Sequence, residues 1–314
     1  MKKKAIIISI KGKTLTKKEK LLLSEEKPWG LILFKRNIKS ILQIKNLVKD
    51  IKKFVKDKKF PILIDEEGST VSRLNGIINH NFEANYFGKL YKLDKKIATA
   101  LYKNYLKILC NNLKNIGINI NTIPVLDVLR NNTNDIIGNR SFSTDKDVVK
   151  DLGRITVNEC HLNGIAAVIK HIPGHGCTTI DSHQKMPKIN LSIKTLNTTD
   201  FYPFKSTYSK LAMTAHILYS KIDSKDVSTF SKKIIKKIIR KKIGFRGILM
   251  SDDISMKALK YDLITNAKKS LSAGCNLVLY CSGNIKDNFK LIKSVPYIDQ
   301  FTAKKTSEIY KILS

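Results

Sequence analysis

Gly164-Ile165-Ala166-Ala167-Val168-Ile169-Lys170-His171-Ile172-Pro173-Gly174-His175-Gly176 passes from an unbroken apolar run straight into a lysine, a histidine and a Pro-Gly step. A run that is apolar at consecutive rather than alternate positions reads as a strand buried on both faces. Such strands belong to parallel sheets covered by helices. The same kind of run recurs, giving candidate strands at 4–10, 30–34, 60–65, 118–127, 164–171, 211–216, 246–252 and 276–281, with helical patterns in the intervals. Thr16-Lys17-Lys18-Glu19 is a capping box that opens one helix. Another is predicted over 231–242, starting at Ser231 with Ile234, Ile235, Ile238 and Ile239 on one stripe beneath a lysine-covered face. Strands alternating with helices from end to end predict an α/β fold, a single (β/α)8 TIM-like barrel over residues 1–314, with a doubly wound open sheet as the alternative. No Pro/Gly/Ser-rich linker or shift of composition marks a second domain.

Composition narrows the function classes. A hydrophobic content of 42% is ordinary for a chain with a real core. The apolar run Ala5–Ile10 behind three lysines is too short for a signal peptide and is followed at once by Lys11 and Lys13. No stretch approaches the roughly 18 apolar residues of a membrane helix. Five cysteines, an odd count with no C-x-x-C pair, fit reduced thiols. The expected setting is therefore the cytoplasm, away from membranes. The net charge of +32 invites a nucleic-acid reading. Only seven of the 58 basic residues are arginine, however, and the lysines are spread along the chain in an Ile- and Asn-rich sequence. That pattern reads as compositional drift, and a lysine-rich nucleic-acid-binding protein on an inactivated barrel is kept only as the non-enzyme alternative.

Barrel enzymes carry their chemistry at the C-terminal ends of the strands. Asp65, Asp127, Lys170 with His171, His216 and Asp252 all stand at such ends. Lys170 and His171 are placed to hydrogen-bond a polar substrate, while the Pro-Gly and His-Gly steps shape a loop leading to Asp181-Ser182-His183. In Asp-x-His a carboxylate can hold one imidazole nitrogen while the other trades a proton near neutral pH. His171, His175, Asp181 and His183 are also possible zinc ligands, but Pro173-Gly174 forbids the helix that would stack the first two, so neither a metal nor a cofactor is predicted. The run Gly247-Ile248-Leu249-Met250-Ser251-Asp252-Asp253 empties a buried strand into two acids. Asp252 is the candidate nucleophile toward an anomeric carbon, and Asp253 is read as a cap of the following helix. In Asp65-Glu66-Glu67-Gly68-Ser69-Thr70-Val71-Ser72-Arg73, Asp65 can accept sugar hydroxyls and Arg73 can donate to another.

Taken together, these motifs resemble glycoside hydrolase family 3 and, within it, the bacterial β-N-acetylglucosaminidases that recycle cell-wall fragments. The similarity also includes Trp29–Phe34, Pro124–Val128, Gly138-Asn139-Arg140-Ser141-Phe142-Ser143, Met213-Thr214-Ala215-His216 and Ala273-Gly274-Cys275. It implies a retaining exo-hydrolase acting on terminal β-linked N-acetylglucosamine of anhydro-muropeptides, with Asp252 as nucleophile and His183, supported by Asp181, as acid/base. The implied substrate contacts are Asp65, Arg73, Arg140, Lys170 and His171, with His216 nearby. A small carbohydrate is the expected partner of a monomer. Other β-glycosidases of the family, or an N-acetylglucosamine phosphorylase, are the enzyme alternatives. The chain departs from the family pattern at Ser69-Thr70, where Gly-Arg is common, and at Asn276, where Asp is common.

Overall fold

Successive side chains of a strand point to opposite faces, so an all-apolar strand must serve two cores at once. The computed structural model, which describes residues 2–79, 82–130, 133–134, 137–178 and 186–313, shows this division. Its strands are β1 (Lys4–Ile8), β2 (Pro28–Leu33), β3 (Ile62–Ile64), β4 (Ile120–Asn121), β5 (Ala166–Ile172), β6 (Lys188–Ile189), β7 (Leu211–Thr214), β8 (Leu218–Tyr219), β9 (Ile248–Asp253) and β10 (Leu277–Leu279). The order β1-β10-β9-β7-β5-β4-β3-β2 closes a parallel barrel, and β6 with β8 forms a separate two-stranded ladder. Ile7 pairs with Gly30 on one side and with Leu279 on the other, so the open-sheet alternative is ruled out. Inside the barrel pack Ala5, Ile7, Leu63, Ile120, Ala166, Val168, Leu211, Met213, Ile248, Met250, Leu277 and Leu279. Their neighbours of opposite parity, among them Ile6, Ile8, Ile62, Ala167, Ile169 and Leu249, face the helices.

The helices are α1 (Lys17–Glu25), α2 (Ile41–Val55), α3 (Ala84–Leu93), α4 (Lys95–Asn115), α5 (Lys146–Leu162), α6 (Ile193–Thr198), α7 (Leu263–Ala273), α8 (Ile285–Ser294) and α9 (Gln300–Tyr310). The capping box of α1 is present: Thr16 Oγ1 accepts from the Glu19 amide at 3.2 Å, and Glu19 Oε2 accepts from the Thr16 amide at 2.8 Å. α9 closes the N-terminal mouth of the barrel. Its Ile309 and the following Leu313 join the inner core, and Thr306 Oγ1 accepts from the Trp29 indole at 2.8 Å.

Three expectations are corrected. The strand predicted over 118–127 is continuous only at Ile120–Asn121, because Pro124 has no amide to donate and the ladder resumes only where Val125 lies opposite Lys170. The helix predicted over 231–242 winds as a π-helix from Ile234 to Ile243; its isoleucines are buried as expected, and Ser231 Oγ accepts from the Ile234 amide at 3.0 Å. Asp253 does not cap the next helix, whose N-cap is Asp262. It instead accepts from Ser255 Oγ at 2.7 Å and from the Cys281 amide at 3.3 Å, tying the turn after β9 to the end of β10.

Candidate active site

Strand parity fixes the site. Ala166 and Val168 point into the barrel, so Lys170 does too; Ile248 and Met250 do the same for Asp252, and Leu63 for Asp65. The C-terminal mouth is thereby lined with charge where the interior below is apolar. There the structure holds a cavity of about 330 Å³, lined by Asp65, Arg73, Arg140, Lys170, His171 and Asp252, with Glu67, His175, Met213, Leu279, Cys281 and others. Six of the nine residues expected at the site thus meet in one concavity. His216 is close but outside the lining: its Nδ1 lies 2.7 Å from Thr229 Oγ1 and its Nε2 lies 3.0 Å from the Asp253 carbonyl, so both ring nitrogens are engaged. Asp181 and His183 lie outside the described residues.

The charges are knit together. Arg73 donates to Asp65 at 2.8 Å, and Lys170 reaches Asp65 at 3.4 Å, Glu67 at 2.6 Å and Thr122 Oγ1 at 2.9 Å. Arg140 clamps Glu67 through Nε at 2.7 Å and Nη2 at 3.0 Å. Burial alone would raise both carboxyls. For Asp65, Lys170 and Arg73 outweigh it and hold the group well below the usual carboxylate range. For Glu67, Arg140 and Lys170 bring it down to about 2. Among the described residues Asp252 receives the Asp253 amide, at 2.8 Å; the cost of burying it is overcome by His171 and His216 and that amide, which keep it ionised. An exposed edge of a buried carboxylate that must stay charged is what a nucleophile requires.

Beneath His171 sits Asp127, fully buried at the end of the irregular strand. Its Oδ2 lies 2.7 Å from His171 Nδ1, and its Oδ1 accepts from the His175 amide at 2.6 Å. Burial pushes the Asp127 carboxyl up, but His171 and His175 bring it below its ordinary value. An ionised carboxylate has no proton to give, so His171 Nδ1 carries the hydrogen and its Nε2 is the atom left for the cavity. His175 Nδ1 lies 2.8 Å from Thr178 Oγ1, and burial lowers this imidazole to about 4. The segment is held where it is by its glycines. Gly174 has φ 138°, and a Cβ on Gly176 would stand 1.9 Å from the Val128 carbonyl oxygen. The Lys170–His171 peptide bond is cis.

Glu67 and Asp127 are the functional positions that sequence reasoning left without a role. Both stand in segments the sequence singles out, Asp65–Arg73 and Pro124–Val128, but their partners come from elsewhere in the fold: Arg140 from the turn before α5, and Lys170 and His171 from β5. The departure at Asn276 is structural: its Oδ1 accepts from the Leu249 amide at 2.9 Å and from Arg240 at 2.8 Å, joining the start of β9 to the π-helix. Thr70 does line the cavity and donates to Glu83 at 2.6 Å. Among the described residues no group of three or more His, Cys, Asp or Glu side chains is arranged to hold a metal ion, and no helix is long and apolar enough to cross a membrane.

Residues 2–305 match the Glycosyl hydrolase family 3 N terminal domain. The chain belongs to glycosyl hydrolase family 3. It is a glycosidase, as its motifs led one to expect. Proteins named beta-hexosaminidase from Actinobacillus succinogenes and Haemophilus influenzae are 33% and 32% identical, over 94% and 93% of this chain and 87% and 85% of their own length. NagZ from Neisseria gonorrhoeae, solved in complex with N-trifluoroacetyl-D-glucosamine, superposes with a TM-score of 0.90 at 29% identity, covering 98% of this chain and 90% of that one.

Proposed function

We propose that this family 3 barrel is a retaining exo-β-N-acetylglucosaminidase that removes terminal β-linked N-acetylglucosamine from anhydro-muropeptides and acts as a single domain. The observation that carries the reading is the cavity around Asp252. At about 330 Å³ it is at the small end of ligand sites, which run from about 300 to 1,000 Å³, so it suits one terminal sugar rather than a stretch of chain. Its polar wall of Asp65, Arg73, Arg140, Lys170 and His171 offers both donors and acceptors to ring hydroxyls.

In the proposed first step an Asp252 oxygen attacks the anomeric carbon and the bond from that carbon to the aglycone oxygen breaks, the electron pair leaving with that oxygen. A general acid protonates it. The carboxylates that line the cavity among the described residues, Asp65, Glu67 and Asp252, are all held below their ordinary range, so none has a proton to offer at neutral pH. That favours an imidazole, and we assign the role to His183 with Asp181 behind it, on the strength of the Asp-Ser-His motif. In the second step water attacks the glycosyl-aspartate, His183 takes its proton, and Asp252 is released. The test is the stereochemistry of the first-formed sugar, followed by proton NMR: the β anomer supports the double displacement, and the α anomer overturns it. Asp252→Ala should remove turnover while leaving the folded state intact.

A further inference from the structure

Glu67 lies at the centre of the cavity's charge, with its side chain only 6% exposed, between Lys170 at 3% and Arg140 at 10%. One of its oxygens receives Lys170 at 2.6 Å and Arg140 at 3.0 Å, and the other receives Arg140 at 2.7 Å. A guanidinium and an ammonium pointed into one concavity are otherwise a receptor for a carboxylate, sulfate or phosphate, since a guanidinium's parallel N–H groups match two anionic oxygens. With Asp65 and Glu67 both present, the three lining cations Arg73, Arg140 and Lys170 are each bound to a carboxylate, and Asp252 adds a further negative charge. The three N–H groups of Lys170 are taken by Asp65, Glu67 and Thr122, and Arg140 gives two of its N–H groups to Glu67, so neither cation presents an uncompensated charge to an incoming anion.

We propose that Glu67 is a positioning and specificity-determining residue: it holds Lys170 and Arg140 in ion pairs and so closes the cavity to anions, reserving it for an uncharged sugar. This rests on the carbohydrate reading above and deepens it.

The experiment compares wild type, Glu67→Gln and Glu67→Asp by titration calorimetry with inorganic sulfate and by hydrolysis kinetics in the presence of sulfate. Glu67→Gln removes one negative charge beside two cations and should bind sulfate at least about tenfold more tightly than wild type, with sulfate now competing against the sugar. Glu67→Asp keeps the charge but shortens the reach, so KM should rise while sulfate stays excluded. Sulfate indifference in Glu67→Gln, or sulfate binding in Glu67→Asp, overturns the proposal. So does a Glu67→Asp enzyme with the wild-type KM, an outcome that can be read even if Glu67→Gln does not fold. Because the calorimetry needs no turnover, failure of wild type to cleave an N-acetylglucosaminide would count against the function and leave the charge argument to be judged separately.

Discussion

Asp127→Asn isolates the group that sets the tautomer of His171. Both carboxylate oxygens of Asp127 face donors: Oδ2 meets His171 Nδ1 at 2.7 Å, and Oδ1 meets the His175 amide at 2.6 Å. An asparagine supplies one acceptor and one donor, so whichever way it turns, an NH2 is set against an N–H in a fully buried place. If the carbonyl keeps the His175 amide, His171 must move its proton to Nε2 and present a donor to the cavity in place of its present atom. If the carbonyl keeps His171, the His175 amide is left buried and unpaired. Loss of a charge-assisted bond, or a stranded buried donor, costs about 2 kcal/mol, which for a chain of this length lowers Tm by roughly 3 °C. The reversed tautomer should also reduce kcat/KM by about tenfold to a hundredfold, since about 1.4 kcal/mol of lost contact is a factor of ten. Thermal unfolding and steady-state kinetics of the purified variant read both quantities. A variant within about 0.5 kcal/mol of wild type, with kcat/KM unchanged within twofold, would refute the reasoning.

Further outcomes follow from the same geometry. His183→Ala should slow substrates with poor leaving groups far more than those with very good ones, which need little protonation; equal damage to both, measured as kcat/KM, would remove the acid role. Glu67 is brought from an ordinary 4.5 to about 2 in the folded state, so the stability it contributes is complete above the unfolded value and is lost as the pH falls toward 2. Denaturant unfolding between pH 6 and 2 should therefore show Glu67→Gln losing less stability than wild type across that window; parallel curves would contradict the assignment. Gly176→Ala places a methyl 1.9 Å from the Val128 carbonyl, so soluble yield and Tm should both fall sharply, whereas a wild-type Tm would show that the segment yields freely. Turnover should survive a chelator unchanged, as measured before and after exhaustive dialysis against it.

The barrel was legible because a strand buried on both faces has to be apolar at every position, and that pattern survives even in a lysine-rich chain. Where it failed, the cause was local: Pro124 interrupts the ladder although its neighbours are apolar, and nothing in the isoleucine stripe at 234–243 distinguishes a π-helix from an α-helix. The lining of the cavity was legible wherever a polar residue ends an apolar strand, as at Asp65, Lys170 and Asp252. Asp253 was misread because adjacency in sequence suggested a helix cap, whereas its partners lie in its own turn and on β10. Glu67 and Asp127 gained no role because their meaning depends on residues some 70 and 44 positions away in sequence, Arg140 and His171, which only closure of the barrel brings near. His216 shows the converse: a strand-end histidine whose two nitrogens are taken by its own barrel.

The central claim is that the cavity around Asp252 hydrolyses an acetamido sugar. Purified protein in low-phosphate buffer, given a chromogenic β-N-acetylglucosaminide and in parallel the matching β-glucoside, tests it directly. The account predicts release of the chromophore from the acetamido sugar, with the glucoside left essentially untouched and no stimulation by added phosphate. Turnover of the glucoside alone, turnover that requires phosphate, or none with either sugar would contradict it.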